Sequence, residues 1–80
     1  MKTQEAVSLR ITELCKENNI TINALSRISA VPPSTLKNII YGVSKNPGIV
    51  TVKMLCDGLN ISLEDFFNSD VFKSLEQEIE

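Results

Sequence analysis

The 80-residue sequence predicts an all-α fold made of short helices. Apolar residues recur at spacings of three and four over several stretches, which is typical of amphipathic helices. Period-two alternation, the pattern of a half-buried strand, comes nearest over Ile49–Val52, and a helix cap at Thr51 explains that segment better. Capping and turn residues divide the chain into five helices and a short last segment.

The first two helices are indicated by their apolar faces and by the polar residues between them. The first face consists of Val7, Ile11, Leu14 and Cys15. Asn18-Asn19 should end this helix, because Asn tolerates the left-handed conformation. Thr21 can cap a second helix. The apolar face of that helix would be formed by Ile22, Leu25 and Ile28 or Ser29.

A pair of prolines marks the start of the third helix. The residue before a proline is displaced from the α region, and Pro is favoured at the first helical position. We therefore expect Pro32 outside the helix, Pro33 as its first residue, and an end at Gly42 after Tyr41. Three aliphatic side chains fall on one face and should be buried: Leu36, Ile39 and Ile40.

A polar turn at Asn46-Pro47-Gly48 separates the third helix from a fourth, which Thr51 is expected to cap. The inner face of the fourth helix would consist of Val52, Leu55, Cys56 and Leu59. Asn60 suits a left-handed C-terminus. Ser62 and Asp65 have the spacing of a capping box. They should start a fifth helix with Leu63, Phe66 and Phe67.

The C-terminal residues are expected to form a sixth, short helical segment. Asp70 would cap it, and its apolar side would be formed by Val71, Phe72, Leu75 and Ile79. This predicts a domain over residues 1–68 and an acidic C-terminal helical extension over residues 69–80. The extension would pack on the core or on a dimer partner, or would bind another protein.

The composition argues against catalysis. The chain has no His, its two cysteines have neither an imidazole partner nor CxxC spacing, and its three glycines are scattered singly. We expect no enzymatic activity, no catalytic residue, no metal and no cofactor. The sequence also lacks a signal peptide and an apolar run near the ~18 residues of a membrane span, so a cytoplasmic protein with reduced thiols is expected.

Charge is distributed unevenly along the chain. Residues 18–56 contain four basic side chains and no acidic one, whereas residues 57–80 contain seven acidic side chains against Lys73. The low isoelectric point, near 5.1, therefore reflects the C-terminal third. The middle of the chain offers a surface that could face an anion, although chance clustering in a small chain is the alternative.

The outer face of the third helix carries small polar groups and no acid. Its members are Ser34, Thr35, Lys37, Asn38 and Tyr41. An amide can pair with a base edge at two atoms, and hydroxyls or an ammonium can contact bases or phosphates. A helix of about nine residues is about 14 Å long and fits a major groove about 12 Å wide. An ordinary solvated helix face is the alternative.

An ordered set of residues over all five helices matches a known family. The matching residues are Ile11-Thr12-Glu13-Leu14, Asn19-Ile20-Thr21, Leu25-Ser26, Val31, Ser34-Thr35-Leu36, Ile39, Gly42, Asn46-Pro47, Thr51, Leu55 and residues 59–67. With them the chain resembles the Cro/repressor-type, or Xre-type, helix-turn-helix family. The resemblance implies a compact five-helix domain and sequence-specific binding of double-stranded DNA by a small transcriptional regulator. The third helix would lie in the major groove, usually in a dimer on a palindromic site.

The same resemblance assigns contacts to individual residues. Base contacts fall on the start of the third helix, at Pro33, Ser34 and Thr35, and a further base or backbone contact falls on Asn38. Beside these, we expect Lys37 on the same face to share in sequence choice with Ser34, Thr35 and Asn38. Phosphate contacts fall on the end of this helix, the loop after it and the start of the second helix. They are Tyr41, Ser44, Lys45, Asn46, Thr21 and Asn23.

The sequence departs from the family pattern at four places. Ile22 stands where many members have Gln, and Pro33 brings neither a backbone donor nor a polar side chain to a base-contacting position. Ala30 replaces the usual turn glycine, which is tolerable if its φ is negative. Cys15 and Ile40 occupy the positions of an Arg–Glu pair and are expected to pack on each other.

Two functions remain open at this point. One is a DNA-binding regulator; the other is a protein-interaction module or antitoxin-like partner on the same fold with weak or lost DNA binding. Only Arg27, Lys37 and Lys45 lie near the proposed face, so tight binding predicts a homodimer. Ile49-Val50 and the C-terminal segment are the candidate dimer surfaces. Residues 70–80 are expected on the far side of the domain, because their acids would repel DNA.

Overall fold

In a computed structural model, which describes residues 1–79, the chain forms five α-helices followed by one turn of 3-10 helix. The α-helices are α1 (Thr3–Glu17), α2 (Ile22–Ser29), α3 (Pro33–Ile40), α4 (Ile49–Leu59) and α5 (Leu63–Phe67). The 3-10 turn covers Asp70–Phe72. The predicted all-α, five-helix fold is confirmed.

One apolar core joins the five helices. Its most completely buried side chains are Ile11, Leu25, Val31, Leu36, Ile39, Leu55, Cys56 and Phe66. Burial of each large aliphatic or aromatic side chain stabilises the fold by about 1.5–3 kcal/mol. The inner faces predicted for α1, α3 and α4 all contribute to this core, with Ile40 and Leu59 partly buried at its edge.

Local polar residues set the helix starts as predicted at two places. Oγ1 of Thr21 accepts a hydrogen bond from the backbone N–H of Ala24 at 3.0 Å and caps α2. Oγ of Ser62 accepts from the N–H of Asp65 at 3.0 Å, while the Asp65 carboxylate accepts from the N–H of Ser62 at 3.5 Å. These bonds satisfy N–H groups that have no partner within the helix.

Helix ends follow the sequence equally well. Asn19 and Asn60 adopt left-handed φ angles of 54° and 61°, one just after α1 and the other at the C-cap of α4. Gly42, with φ 77°, follows Tyr41 at the end of α3. Pro32 precedes α3 and Pro33 is its first residue, as expected.

The predicted cap of α4 is wrong. Thr51 lies inside the first turn, and Gly48, with φ −68° and ψ 145°, is the residue that precedes the helix. The Asn46-Pro47-Gly48 turn thus leads directly into the helix without a capping side chain. As a result Ile49 and Val50 belong to the helix and are exposed in its first turn.

The condition under which Ala30 would replace the turn glycine without strain is not met, because Ala30 is left-handed with φ 61°. A non-glycine residue in this region costs about 1–2 kcal/mol. Side-chain hydrogen bonds hold the turn: Oγ of Ser26 donates to the carbonyl of Val31 at 2.6 Å, and Oγ of Ser29 accepts from the N–H of Val31 at 3.3 Å. These bonds and the burial of Val31 outweigh the strain.

The expected C-terminal helical extension is reduced to the 3-10 turn, which Ser69 rather than Asp70 precedes. Phe72 packs on Phe66 and Phe67, with ring centroids 6.1 Å and 5.0 Å away. Beyond it the chain turns to the start of the domain, where the N–H of Glu76 donates to the carbonyl of Met1 at 3.0 Å. Residues 73–79 are therefore not helical, and Glu80 lies outside the described residues.

The two thiols lie in the core. Cys15 and Cys56 are free and buried, and burial raises the pKa of both. Ile40 packs at the edge of the same core, where its carbonyl accepts a hydrogen bond from Oγ of Ser8, about two helical turns before Cys15. Direct packing of Cys15 on Ile40 stays a prediction.

Candidate nucleic-acid interface

Helix α3 presents a polar outer face that no other part of residues 1–79 covers. Leu36 and Ile39 are buried and hold the helix on the core. The predicted outer residues are all exposed: Ser34, Thr35, Lys37, Asn38 and Tyr41. Pro33, at the first helical position, is exposed beside them. The structure thus brings together the predicted base-contacting residues on one accessible surface.

The carbonyl end of α3 is held by side chains of α1. Oγ of Ser8 donates to the carbonyl of Ile40 at 2.7 Å, and Nε2 of Gln4 donates to that of Ile39 at 3.5 Å. These bonds satisfy carbonyls that have no partner within the helix. Contacts with α1 and the core therefore set the orientation of α3, and its outer side chains take no part in this.

The loop after α3 folds back on the helix. The N–H of Ser44 donates to the carbonyl of Asn38 at 3.0 Å. Ser44 is half-buried as a consequence, whereas Lys45 and Asn46 are exposed. Two of the three loop residues predicted to contact phosphate are therefore fully available, and the third contributes mainly to the shape of the loop.

The start of α2 offers backbone donors as well as side chains. The first N–H groups of a helix and its dipole favour an anion at this end. Thr21 and Asn23 are exposed here, although the Thr21 oxygen already accepts from Ala24. Ile22, at the position where many relatives have Gln, is half-buried against the core. A packing role thus replaces the missing polar contact.

The cations divide into two groups. Among residues 1–79, four cations have a carboxylate within ion-pair distance: the N-terminal ammonium pairs with Glu76, Arg10 with Glu13, Lys53 with Asp57 and Lys73 with Asp70. Lys2 donates to a backbone carbonyl of the C-terminal segment. Apart from Lys2, the cations of the described chain without such a carboxylate are Lys16, Arg27, Lys37 and Lys45. Positive charge is therefore uncompensated at α2, α3 and the loop.

Lys16 is an exposed cation that the sequence did not assign to this surface. It lies in the last turn of α1, five positions before the α2 cap, and its carbonyl accepts from the N–H of Asn19 in the connecting turn. Glu13, one turn earlier, pairs with Arg10 instead. The signal in the sequence was indirect, because Glu13 lies three positions from both Lys16 and Arg10 and could pair with either of them.

The acidic C-terminal segment does not lie wholly on the far side of the domain. Glu78 lines a groove of about 430 Å³ together with Lys45 and Asn46. The expectation of complete separation from the phosphate-contacting loop is thus wrong. The cause is the return of residues 76–78 to the first turn of α1, which adjoins that loop.

Other kinds of site were also sought along residues 1–79. This part of the chain contains no group of three His, Cys, Asp or Glu side chains that could hold a metal ion. None of its helices combines the length and the apolar character needed to cross a bilayer.

Comparison with known proteins agrees with this geometry. A family model described as the Cro/C1-type HTH DNA-binding domain matches residues 10–70. The crystal structure of the prophage Lp1 protein 11 is similar to this chain with a TM-score of 0.80 and 36% sequence identity, over 94% of this chain and 100% of that one. Curated proteins give no significant match. The match over residues 10–70 shows that the chain belongs to the Cro/C1-type helix-turn-helix DNA-binding domain family.

Proposed function

We propose that this chain is a small transcriptional regulator, not an enzyme, that binds a specific double-stranded DNA sequence with α3 in the major groove. The accessible outer face of α3 carries the proposal, because its exposed residues are polar, free of acids and held by a buried inner face. Its proposed partner is DNA, so we expect it to act in the cytoplasm.

Sequence choice would come from the first two turns of α3. Ser34, Thr35 and Lys37 offer hydroxyl and ammonium groups, and the Asn38 amide can pair with two atoms of an adenine edge. Pro33 has no donor, and its ring suits an apolar contact such as a thymine methyl group. This combination supports a short sequence-specific half-site rather than general affinity for DNA.

Phosphate contacts would flank the groove on both sides. Thr21 and Asn23 lie at the start of α2, and Tyr41, Lys45 and Asn46 lie at and after the end of α3. Contacts of this kind position the helix without specifying sequence. The half-buried Ser44 would act through its hydroxyl or through the loop conformation. Lys16 is an additional candidate on the α2 side.

We further propose that the chain binds as a homodimer on a palindromic site. One domain offers few unpaired cations, so a monomer would neutralise few phosphates and lose affinity steeply with salt. Three aliphatic residues at and before the start of α4 are well exposed and supply a surface for a second copy: Val43, Ile49 and Val50. Pairing there would present two α3 helices to successive major grooves.

Selection of bound duplexes from random DNA tests the whole proposal. We expect a palindrome whose half-sites lie about 10 base pairs apart, centre to centre. A folded protein that enriches no sequence would contradict sequence-specific binding and would favour an interaction module on the same fold. An enriched sequence without twofold symmetry would contradict the dimer alone.

Replacement of Val50 by Asp tests the dimer surface directly. A charge at the exposed start of α4 should leave the fold intact and lower the apparent mass in sedimentation equilibrium from dimer to monomer. Asn68→Asp, at an exposed position after α5, is the matched control, because it adds the same charge outside the apolar surface. Equal masses for wild type and Val50→Asp would show that this surface is not the interface.

A further inference from the structure

The last described residues form a strap, residues 76–79, that is held on the start of α1. The N–H of Glu76 donates to the carbonyl of Met1 at 3.0 Å, and Nζ of Lys2 donates to the carbonyl of Gln77 at 2.5 Å. The Glu78 carboxylate accepts from the N–H of Thr3 at 2.9 Å. Three successive residues of the strap are therefore bound to three successive residues at the other end of the chain.

The strap brings a negative charge to a groove beside the loop after α3. The floor of this groove includes Val7, Val52 and Phe67. Glu78 lines it from the strap, and Lys45 and Asn46 line it from the loop. Glu78 and Lys45 thus line one groove of about 430 Å³, without a direct ion pair between them.

The strap is fastened only by surface contacts. Glu76, Gln77 and Glu78 are exposed, and the side chain of Ile79 is 79% exposed. Exposed polar contacts contribute little to stability, and such segments open locally at low cost. The strap can therefore detach from Met1, Lys2 and Thr3 while the helices stay folded. The hydrogen bond from Thr3 lowers the pKa of Glu78, so the carboxylate is charged at neutral pH.

We propose that the strap is an electrostatic brake on DNA binding, in which Glu78 opposes the approach of a phosphate to Lys45 and Asn46. This inference rests on the proposed function, because it concerns the strength of the same DNA contacts. A fixed negative charge within a Debye length, about 8–10 Å, of a bound phosphate weakens the complex. Opening of the strap moves that charge away and leaves Lys45 to the phosphate.

The size of the brake follows from Coulomb's law. If the Glu78 carboxylate and a bound phosphate lie about 7 Å apart in water, their repulsion lowers the affinity for DNA by about threefold. A dimer would carry two straps, and the effect would be multiplied. The brake should fade as salt rises, because added salt shortens the Debye length and screens the repulsion between exposed charges.

Neutralisation of Glu78 tests the brake with a labelled mixed-sequence duplex of about 30 base pairs at about 50 mM NaCl. We expect E78Q to bind this duplex about threefold more tightly than wild type by fluorescence anisotropy. The matched control is E64Q, which removes the same charge from an exposed position on α5. E64Q should change the affinity by less than about 1.5-fold. Far-UV circular dichroism should show equal helix content in all three proteins.

A second variant connects the effect to the loop. In a K45A background, E78Q should gain clearly less affinity than in wild type, because the cation that the carboxylate opposes is gone. Equal affinities of E78Q and E64Q, with DNA binding by wild type intact, would overturn the brake and leave the proposed function standing. Absence of duplex binding by all folded variants at low salt would overturn both.

Discussion

Nε of Arg10 donates a hydrogen bond to the carbonyl oxygen of Phe66 at 2.6 Å, which joins α1 to the end of α5. Nη2 of the same guanidinium donates to the carbonyl of Asp65 at 2.8 Å, and Nη1 pairs with Glu13. Arg10 is only 8% exposed. The carbonyls at the end of α5 have no partner within that helix, so a buried cation from α1 satisfies them.

Replacement of Arg10 by Met should lower the free energy of unfolding by about 3 kcal/mol. The change keeps an unbranched side chain but leaves the Phe66 carbonyl without its donor. It also removes the guanidinium from the Asp65 carbonyl and the Glu13 carboxylate, which keep only bonds of 3.3 Å from Asn68 and Ser69. Urea denaturation followed by circular dichroism measures the loss. Arg27→Met, at an exposed position, is the control and should cost less than about 0.5 kcal/mol. Similar losses in the two variants would contradict this role of Arg10.

Ala30→Gly should stabilise the protein by about 0.5–1 kcal/mol. Glycine removes the strain of the left-handed φ of 61°, about 1–2 kcal/mol, and this gain exceeds its greater entropy in the unfolded chain. Ala30 is exposed, so no packing is lost. Ala24→Gly, inside α2, should instead destabilise by about 1 kcal/mol. Thermal unfolding of both variants measures these changes. A loss of stability in Ala30→Gly would show that the left-handed Ala30 is not strained.

Gly58→Ala should destabilise the protein by about 1–3 kcal/mol, although alanine favours a helix. A Cβ atom at Gly58 would lie 2.9 Å from Cα of Ser29, so α4 would be pushed away from α2. Gly48→Ala is the matched control, because its Cβ would meet only the Thr51 hydroxyl at 3.9 Å. It should cost about 0.5–1 kcal/mol, because alanine is a poorer N-cap than glycine but meets no steric clash here. Chemical denaturation of both variants measures which of the two substitutions lowers the free energy of unfolding more.

Closure of the strap should depend on pH in the acid range. The Thr3 N–H lowers the pKa of Glu78 below its ordinary value of 4.5, so this contact stabilises the folded state above that value. The contribution is lost as pH falls through the lowered pKa. In a two-dimensional NMR titration we expect the Thr3 amide shift to move with a midpoint below 4.5. The movement should be absent in E78Q, and a midpoint at or above the ordinary value would refute the contact.

Two substitutions should separate base contacts from phosphate contacts on the selected DNA site. Asn38→Ala should weaken binding of that site by about 1–3 kcal/mol with little effect on unrelated duplexes. Lys45→Ala should weaken all duplexes similarly and lower the salt slope by about one. Asn68→Ala, an exposed position after α5, is the control. Unchanged affinity in Asn38→Ala would remove this residue from the proposed base contacts.

The parts of the fold that depend on neighbouring residues could be predicted from the sequence. The caps at Thr21 and Ser62 and the left-handed Asn60 need only local hydrogen bonds and local steric freedom. Ala30 and the strap could not be predicted, because residues from elsewhere decide them. Val31 is buried in the core and draws Ala30 into a strained turn, and Met1 and Thr3 provide the partners of the strap.

In the candidate site, too, the features set by local sequence were predictable and those set by distant residues were not. The outer face of α3 follows from its helical period, so exposure of Ser34 and Asn38 was predictable. The approach of Glu78 to Lys45 was not, because it depends on the path of the chain after the 3-10 turn. The role of Arg10 was also hidden, since its partners are backbone carbonyls 55 and 56 positions away.

The outward side chains of α3 form no hydrogen bond within residues 1–79, while its carbonyl end is secured by Gln4 and Ser8. Under the proposed function, stability and target choice would therefore depend on different atoms of one helix. If these side chains read bases as proposed, mutation at Ser34, Thr35 or Asn38 would retarget the protein to a new operator at little cost in stability. Descendants of such a chain could diverge in the genes they control while the scaffold is inherited almost unchanged.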